Sequence, residues 1–198
     1  MPDKELIGII SLVITVVGYA PYILTIFYGK TKPHAFSWLI WGLVLSITYV
    51  AQYKDHAGAG SWATGLSAVA CLGVGIIALF RGEKNFTKGD WLVFLATMSA
   101  IPLWIITKDP LWSVILVTSI DAAAYYPTLR KSYSKPDEEA AFKYTLAAVK
   151  YALSLMALEN YTAVTIIYPV TSLVLESATV ILLLWRRHVL AIGRSSAR

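Results

Sequence analysis

"TSIDAAAYYPTLRKSYSKPDEE", residues 118–139, begins as a membrane helix does and then departs from one twice. Asp121 stands inside an apolar run, and Pro127 follows six residues later. A carboxylate in hydrocarbon is costly, and a proline inside a helix removes a backbone hydrogen bond and crowds the carbonyl one turn back. The rest of the chain decides what the two residues are for.

The 198 residues are 57% hydrophobic and 15% charged, with a mean hydropathy of +0.62. A soluble domain of this size is about 45–50% apolar and about 25% charged. The excess implies a polytopic membrane protein whose partner is the lipid bilayer. Seven runs reach the length of about 20 residues that a bilayer crossing needs. They are 5–28, 34–53, 61–80, 90–107, 110–129, 139–158 and 161–185. Backbone groups in lipid must be satisfied within their own segment, so runs of this kind are helices and the fold class is all-α. The first run is too long for a signal-peptide core and ends at no cleavage-like site, so it reads as a true span. Most of the seven tryptophans lie near run ends, where interfacial aromatic belts form.

The net charge of +5 does not point to nucleic acid, because the basic residues sit in short loops between apolar runs. One set of flanks holds only Lys4, Lys54 and Lys108. The other holds twelve Lys and Arg, among them Lys30 and Lys32, Arg130 and Lys131, and Arg186 and Arg187. The basic side is expected in the cytoplasm, with the N-terminus outside and the C-terminus inside the plasma (inner) membrane. The single cysteine, Cys71, allows no internal disulfide.

A shift of 106 residues places Tyr19 on Tyr125, Pro21 on Pro127, Phe36 on Phe142 and Arg81 on Arg187. The first three runs then fall on the last three, and the fourth is left over as a linker. Three helices on each side of an odd linker share one orientation, which is a parallel repeat known among transporters. The expected organisation is a first three-helix repeat over 1–89, a linker helix over 90–109, a second repeat over 110–187 and a cytoplasmic tail over 188–198.

"PYILTIFYGKTKPHAFSW", residues 21–38, resembles the PQ-loop signature of the SWEET, SemiSWEET and lysosomal amino-acid transporter superfamily. Pro21 matches the signature proline, Lys30 and Thr31 its basic–hydroxyl pair, and Phe36 and Ser37 the opening of the next helix. "PTLRKSYSKPDEEAAF", residues 127–142, repeats the pattern with Pro127, Lys131, Ser132 and Phe142. Tyr22 and Thr128 stand where the family usually has glutamine. The resemblance implies seven helices arranged 3+1+3, with the N-terminus outside. It also implies that Pro21 and Pro127 act as hinges for alternating access, and that the solute is a sugar, an amino acid or an organic acid.

Three ionisable residues lie near mid-span: Asp121, Lys150 and Glu176. Each costs roughly 2.5–3.5 kcal/mol at that depth on insertion scales. Together they suggest either an ion-pair network holding the second half together or a wet, lined cavity. Two carboxylates against one ammonium leave a negative charge for a bound cation or a proton to balance. Thr118, Asp121, Tyr125 and Thr128 share one face of the fifth helix; Tyr168, Ser172, Glu176 and Thr179 share one face of the seventh. The positions matched to the three charges in the first half are Thr15, Val44 and Ala70. The expected cavity is thus charged on one wall by Asp121, Lys150 and Glu176, with Tyr125 and Ser172 beside them. Thr15, Tyr19, Tyr22 and Trp41 line the other.

Other chemistry is sparse. The three histidines lack metal-ligand spacing, and no phosphate loop, G-x-S-x-G or H-E-x-x-H is present. No catalytic residue, metal or cofactor is therefore expected, and the protein is not read as an enzyme. A retinal sensor is disfavoured because the seventh run has no lysine. The remaining alternative is a seven-helix receptor that binds a small ligand without moving it. Homo-oligomerisation is compatible with the sequence.

Overall fold

A computed structural model describes residues 3–82 and 87–195, and of Asp90, Pro127, Glu138 and residues 192–195 only the backbone. Lys84, counted above on the basic side, and the last three residues of the tail lie outside the described residues. Every regular element among the described residues is a helix, and none is a β-strand.

The helices are α1 (Lys4–Phe27), α2 (Ala35–Lys54), α3 (Trp62–Arg81), α4 (Lys88–Met98) and α5 (Ala100–Thr107). They continue as α6 (Pro110–Ala124), α7 (Tyr126–Ser134), α8 (Ala141–Met156) and α9 (Ala163–Ser195). Local chemistry sets several ends. Asp3 caps α1 by accepting from the Glu5 and Leu6 amides at 3.0 and 3.3 Å. Asp109 caps α6 by accepting from the Leu111 amide at 2.9 Å, with Pro110 at the first helical position.

Among the described residues four segments are each long and apolar enough to cross a membrane: Lys4–Phe27, Ala35–Lys54, Gly58–Arg81 and Ala163–Ala191. The other runs appear as shorter pieces. The fourth divides at Ser99 into α4 and α5, three residues before Pro102. The fifth divides at Tyr125 into α6 and α7, two residues before Pro127. In both places the proline nitrogen has no hydrogen to give the carbonyl one turn back. By contrast, α1 stays helical on both sides of Pro21. The seventh run is longer than its apolar pattern suggests. At 33 residues α9 extends about 50 Å, beyond the hydrocarbon core, and takes in most of the stretch read as a tail. Phe80, Leu92, Ile105 and Ile106 turn outward, the apolar surface that lipid requires.

Helix α3 lies between α1 and α2, and α9 lies between α6 and α8. The two groups meet where α1 packs on α8 and α2 on α6, with α4 and α5 along that second seam. Glycines permit the closest approaches. A Cβ at Gly42 would stand 2.6 Å from Leu72, and one at Gly75 would stand 2.7 Å from Leu39. The core between the groups gathers Val44, Val117, Tyr151 and Tyr168.

Candidate functional site

The groups are stitched together at one end. Lys4 Nζ donates to the Leu158 carbonyl at 2.7 Å, and the Glu159 amide to the Ala57 carbonyl at 3.0 Å. Asn160 Nδ2 donates to the Asp55 carbonyl at 2.9 Å, and the Thr162 hydroxyl bonds the Asp55 carboxylate. Gln52 Nε2 reaches the Thr165 carbonyl at 3.1 Å. The glycine-rich turn before α3 makes this closure possible. Gly58 takes φ +60° beside Glu159, and Gly60 sits so close that a Cβ would meet the Ser154 carbonyl at 2.7 Å. One turn deeper, Ser11 Oγ donates to the Lys150 carbonyl at 3.1 Å and lies 3.1 Å from Ser154 Oγ.

Beyond that seal the groups part around a cavity of about 690 Å³. It runs from Thr15 and Lys150 toward Pro21, Phe142 and Lys143, which are exposed, so it opens at the end opposite the stitched one. Nearly all the residues singled out from sequence converge on it. Asp121, Tyr125, Lys150 and Glu176 line one wall; Thr15, Tyr19, Tyr22 and Trp41 line the other; Pro21 is at the mouth. Ser172 is buried but is not among the lining residues, and Thr118 is buried with its hydroxyl unpartnered. Ser154, one turn along α8 from Lys150, belongs to the seal.

The three charges keep separate company. Glu176 accepts from the Tyr125 hydroxyl at 3.0 Å, and Thr179 Oγ1 stands 3.3 Å from that hydroxyl. Lys150 is 8% exposed, and its ammonium lies 3.4 Å from Ser67 Oγ and 4.2 Å from the centre of the Tyr151 ring. Among the described residues no ion pair joins Lys150 to Asp121 or to Glu176. All three side chains line the same cavity. No group of three or more His, Cys, Asp or Glu among the described residues stands close enough to hold a metal.

Two features were missed from sequence. Trp38 completes an aromatic surface, with ring centres 4.9 Å from Tyr22 and 5.5 Å from Trp41. Its place near a run end made it look like a belt residue, although it closes the quoted 21–38 motif. The second is Glu139, which holds Lys131 at 2.8 Å, Lys143 at 2.9 Å and the Tyr144 hydroxyl at 2.7 Å. Arg187 of α9 clamps the same loop through the Pro136 and Glu139 carbonyls. Burial alone would raise the Glu139 pKa, but hydrogen bonds from Lys131, Tyr144 and Lys143 prevail and hold it at about 2. Lys143 and Tyr144 also line the cavity, so this cluster forms part of its mouth.

No family model, curated protein or solved structure matches the chain.

Proposed function

We propose that the protein is a seven-helix transporter of the PQ-loop, SWEET-like kind, moving a small polar solute by alternating access. In this reading α1–α3 and α6–α9 are parallel three-helix repeats, and α4–α5 is the linker of a 3+1+3 arrangement. Helix order supports it: α3 lies between its neighbours as α9 does between its own. Helix bounds support it too, since α1 shifted by 106 covers 110–133 and α6–α7 cover 110–134. With the N-terminus outside, the stitched end faces outward and the cavity opens to the cytoplasm.

The observation that carries the proposal is the cavity between the two groups, sealed at one end by hydrogen bonds and open at the other, with Asp121, Lys150 and Glu176 on its wall. A solute path needs such a site near mid-depth and a seal that can be exchanged for another. Polar seal contacts suit that exchange, because water replaces them when they part.

Uptake of candidate solutes into proteoliposomes, with and without a pH gradient, tests the reading. Solute should accumulate inside, and Asp121→Asn should abolish gradient-driven uptake while the protein still elutes as one folded species. Ligand binding without any flux would instead identify a receptor.

A further inference from the structure

Within the transport reading, on which this inference rests, the cavity wall is out of charge balance. Asp121 and Glu176 supply two carboxylates, and Lys150 supplies one ammonium. The other cation on the lining, Lys143, is already 2.9 Å from Glu139 at the mouth, and Lys131 shares that carboxylate at 2.8 Å. Deep in the cavity the carboxylates thus outnumber the ammonium groups by one, and the contact that Glu176 makes there, the Tyr125 hydroxyl, is uncharged.

The opposite wall is chosen for the same sign. Tyr22, Trp38 and Trp41 form a continuous aromatic surface, with centres 4.9 and 5.5 Å apart. Ring faces carry negative charge density and attract ammonium groups while opposing anions. The protein uses this attraction itself on the cavity lining, where the Lys150 ammonium lies 4.2 Å from the Tyr151 ring centre and the Lys143 ammonium 4.5 Å from that of Tyr144. We infer that the cavity takes an organic monocation: one ammonium on a compact apolar or aromatic body. The ammonium sits by Glu176 and Asp121, the body lies along Trp38 and Trp41, and wall and solute then sum to zero. The volume of about 690 Å³ is of the size that small-molecule sites have. A zwitterion leaves the wall one charge short of balance, and an anion meets two carboxylates and the aromatic faces.

The test is calorimetric titration of the full chain in detergent at neutral pH with four probes of one shape. They are phenethylamine (a cation), 2-phenylethanol (neutral), hydrocinnamate (an anion) and phenylalanine (a zwitterion). Phenethylamine should bind about tenfold or more tightly than each of the others. Equal or tighter binding of any other probe overturns the inference, as does no binding of phenethylamine at about 10 mM. Glu176→Gln and Asp121→Asn should each weaken the cation by about tenfold or more. Lys150→Gln removes the competing positive charge and should tighten it several-fold, a gain that misfolding cannot produce. Weaker cation binding in a folded Lys150→Gln variant overturns the inference. Cation binding without flux in proteoliposomes would overturn the transport reading alone, and flux of hydrocinnamate or 2-phenylethanol without cation binding would overturn this inference alone.

Discussion

The Tyr125 hydroxyl donates to the Glu176 carboxylate at 3.0 Å, and Tyr125 is also the residue at which α6 ends and α7 begins. The charged wall and the break in the helix thus share one side chain. Tyr125→Phe keeps the ring and removes the donor, leaving a half-buried carboxylate short of a partner. That costs about 1–3 kcal/mol, seen as a lower unfolding temperature in detergent. Glu176→Gln in the same background should recover part of the loss, because the uncompensated charge is gone. Strictly additive effects in that double-mutant cycle would mean that the two side chains are not coupled.

Glu139 makes stability depend on acid. Its carboxyl is held at about 2 instead of the ordinary 4.5, so the folded state binds its proton more weakly than the unfolded chain does. The stabilisation is therefore complete above about 4.5 and is lost as pH falls from there through about 2. Unfolding temperatures measured across that window should fall more steeply for the wild type than for Glu139→Gln. Parallel curves would show that the Lys131 and Lys143 contacts contribute nothing net.

Much of this was legible in the chain, and the reasons differ by residue. Asp121, Lys150 and Glu176 could be found because a charge in an apolar run is expensive and so must face something polar. Pro127 pointed to a weak place in the fifth run, because its effect on a helix is local, but not to a full break at Tyr125, and Pro21 leaves α1 continuous. Ser172 shares a helical face with Glu176, yet it is one turn nearer the sealed end, where no cavity remains. A face read from sequence gives direction around a helix but not depth along it. Glu139 was not singled out in "SKPDEE", although Lys143 is its neighbour four residues on; Arg187 reaches the Glu139 carbonyl only through the tertiary packing of α9. The continuation of α9 past Trp185 was hidden for a similar reason, since apolar pattern stops at the membrane edge while helix propensity does not.

The seal depends on small residues in a way that two glycines can separate. A Cβ at Gly60 would stand 2.7 Å from the Ser154 carbonyl and 2.8 Å from Leu158 Cα, so backbone must move. Gly60→Ala should cost about 1–3 kcal/mol and wedge the stitched end apart. Gly73, inside α3, has nothing within 4 Å of a built Cβ. Gly73→Ala should be stabilising by about 0.4–1 kcal/mol, because only unfolded-chain freedom and helix propensity change. Thermal unfolding of the two variants side by side checks the contrast. If Gly60→Ala is as stable as wild type, the end is less tightly closed than the distances require.

The paired prolines should respond differently to the same substitution. Pro21 is inside a continuous helix, where the missing N–H and the ring's crowding cost up to about 3 kcal/mol. Pro21→Ala should therefore raise the unfolding temperature clearly. Pro127 follows a break and occupies the first turn of α7, where an N–H would have no intrahelical acceptor. Pro127→Ala should change stability by no more than about 1 kcal/mol in this state. It does, however, let residue 127 donate to the Ala123 carbonyl, which would join α6 to α7 in one rod and draw the Tyr125 hydroxyl away from Glu176. If the break is where the cavity wall flexes, Pro127→Ala should slow proteoliposome uptake by about tenfold while leaving stability nearly unchanged. A variant with wild-type uptake would show that the break is fixed architecture, with the motion placed elsewhere.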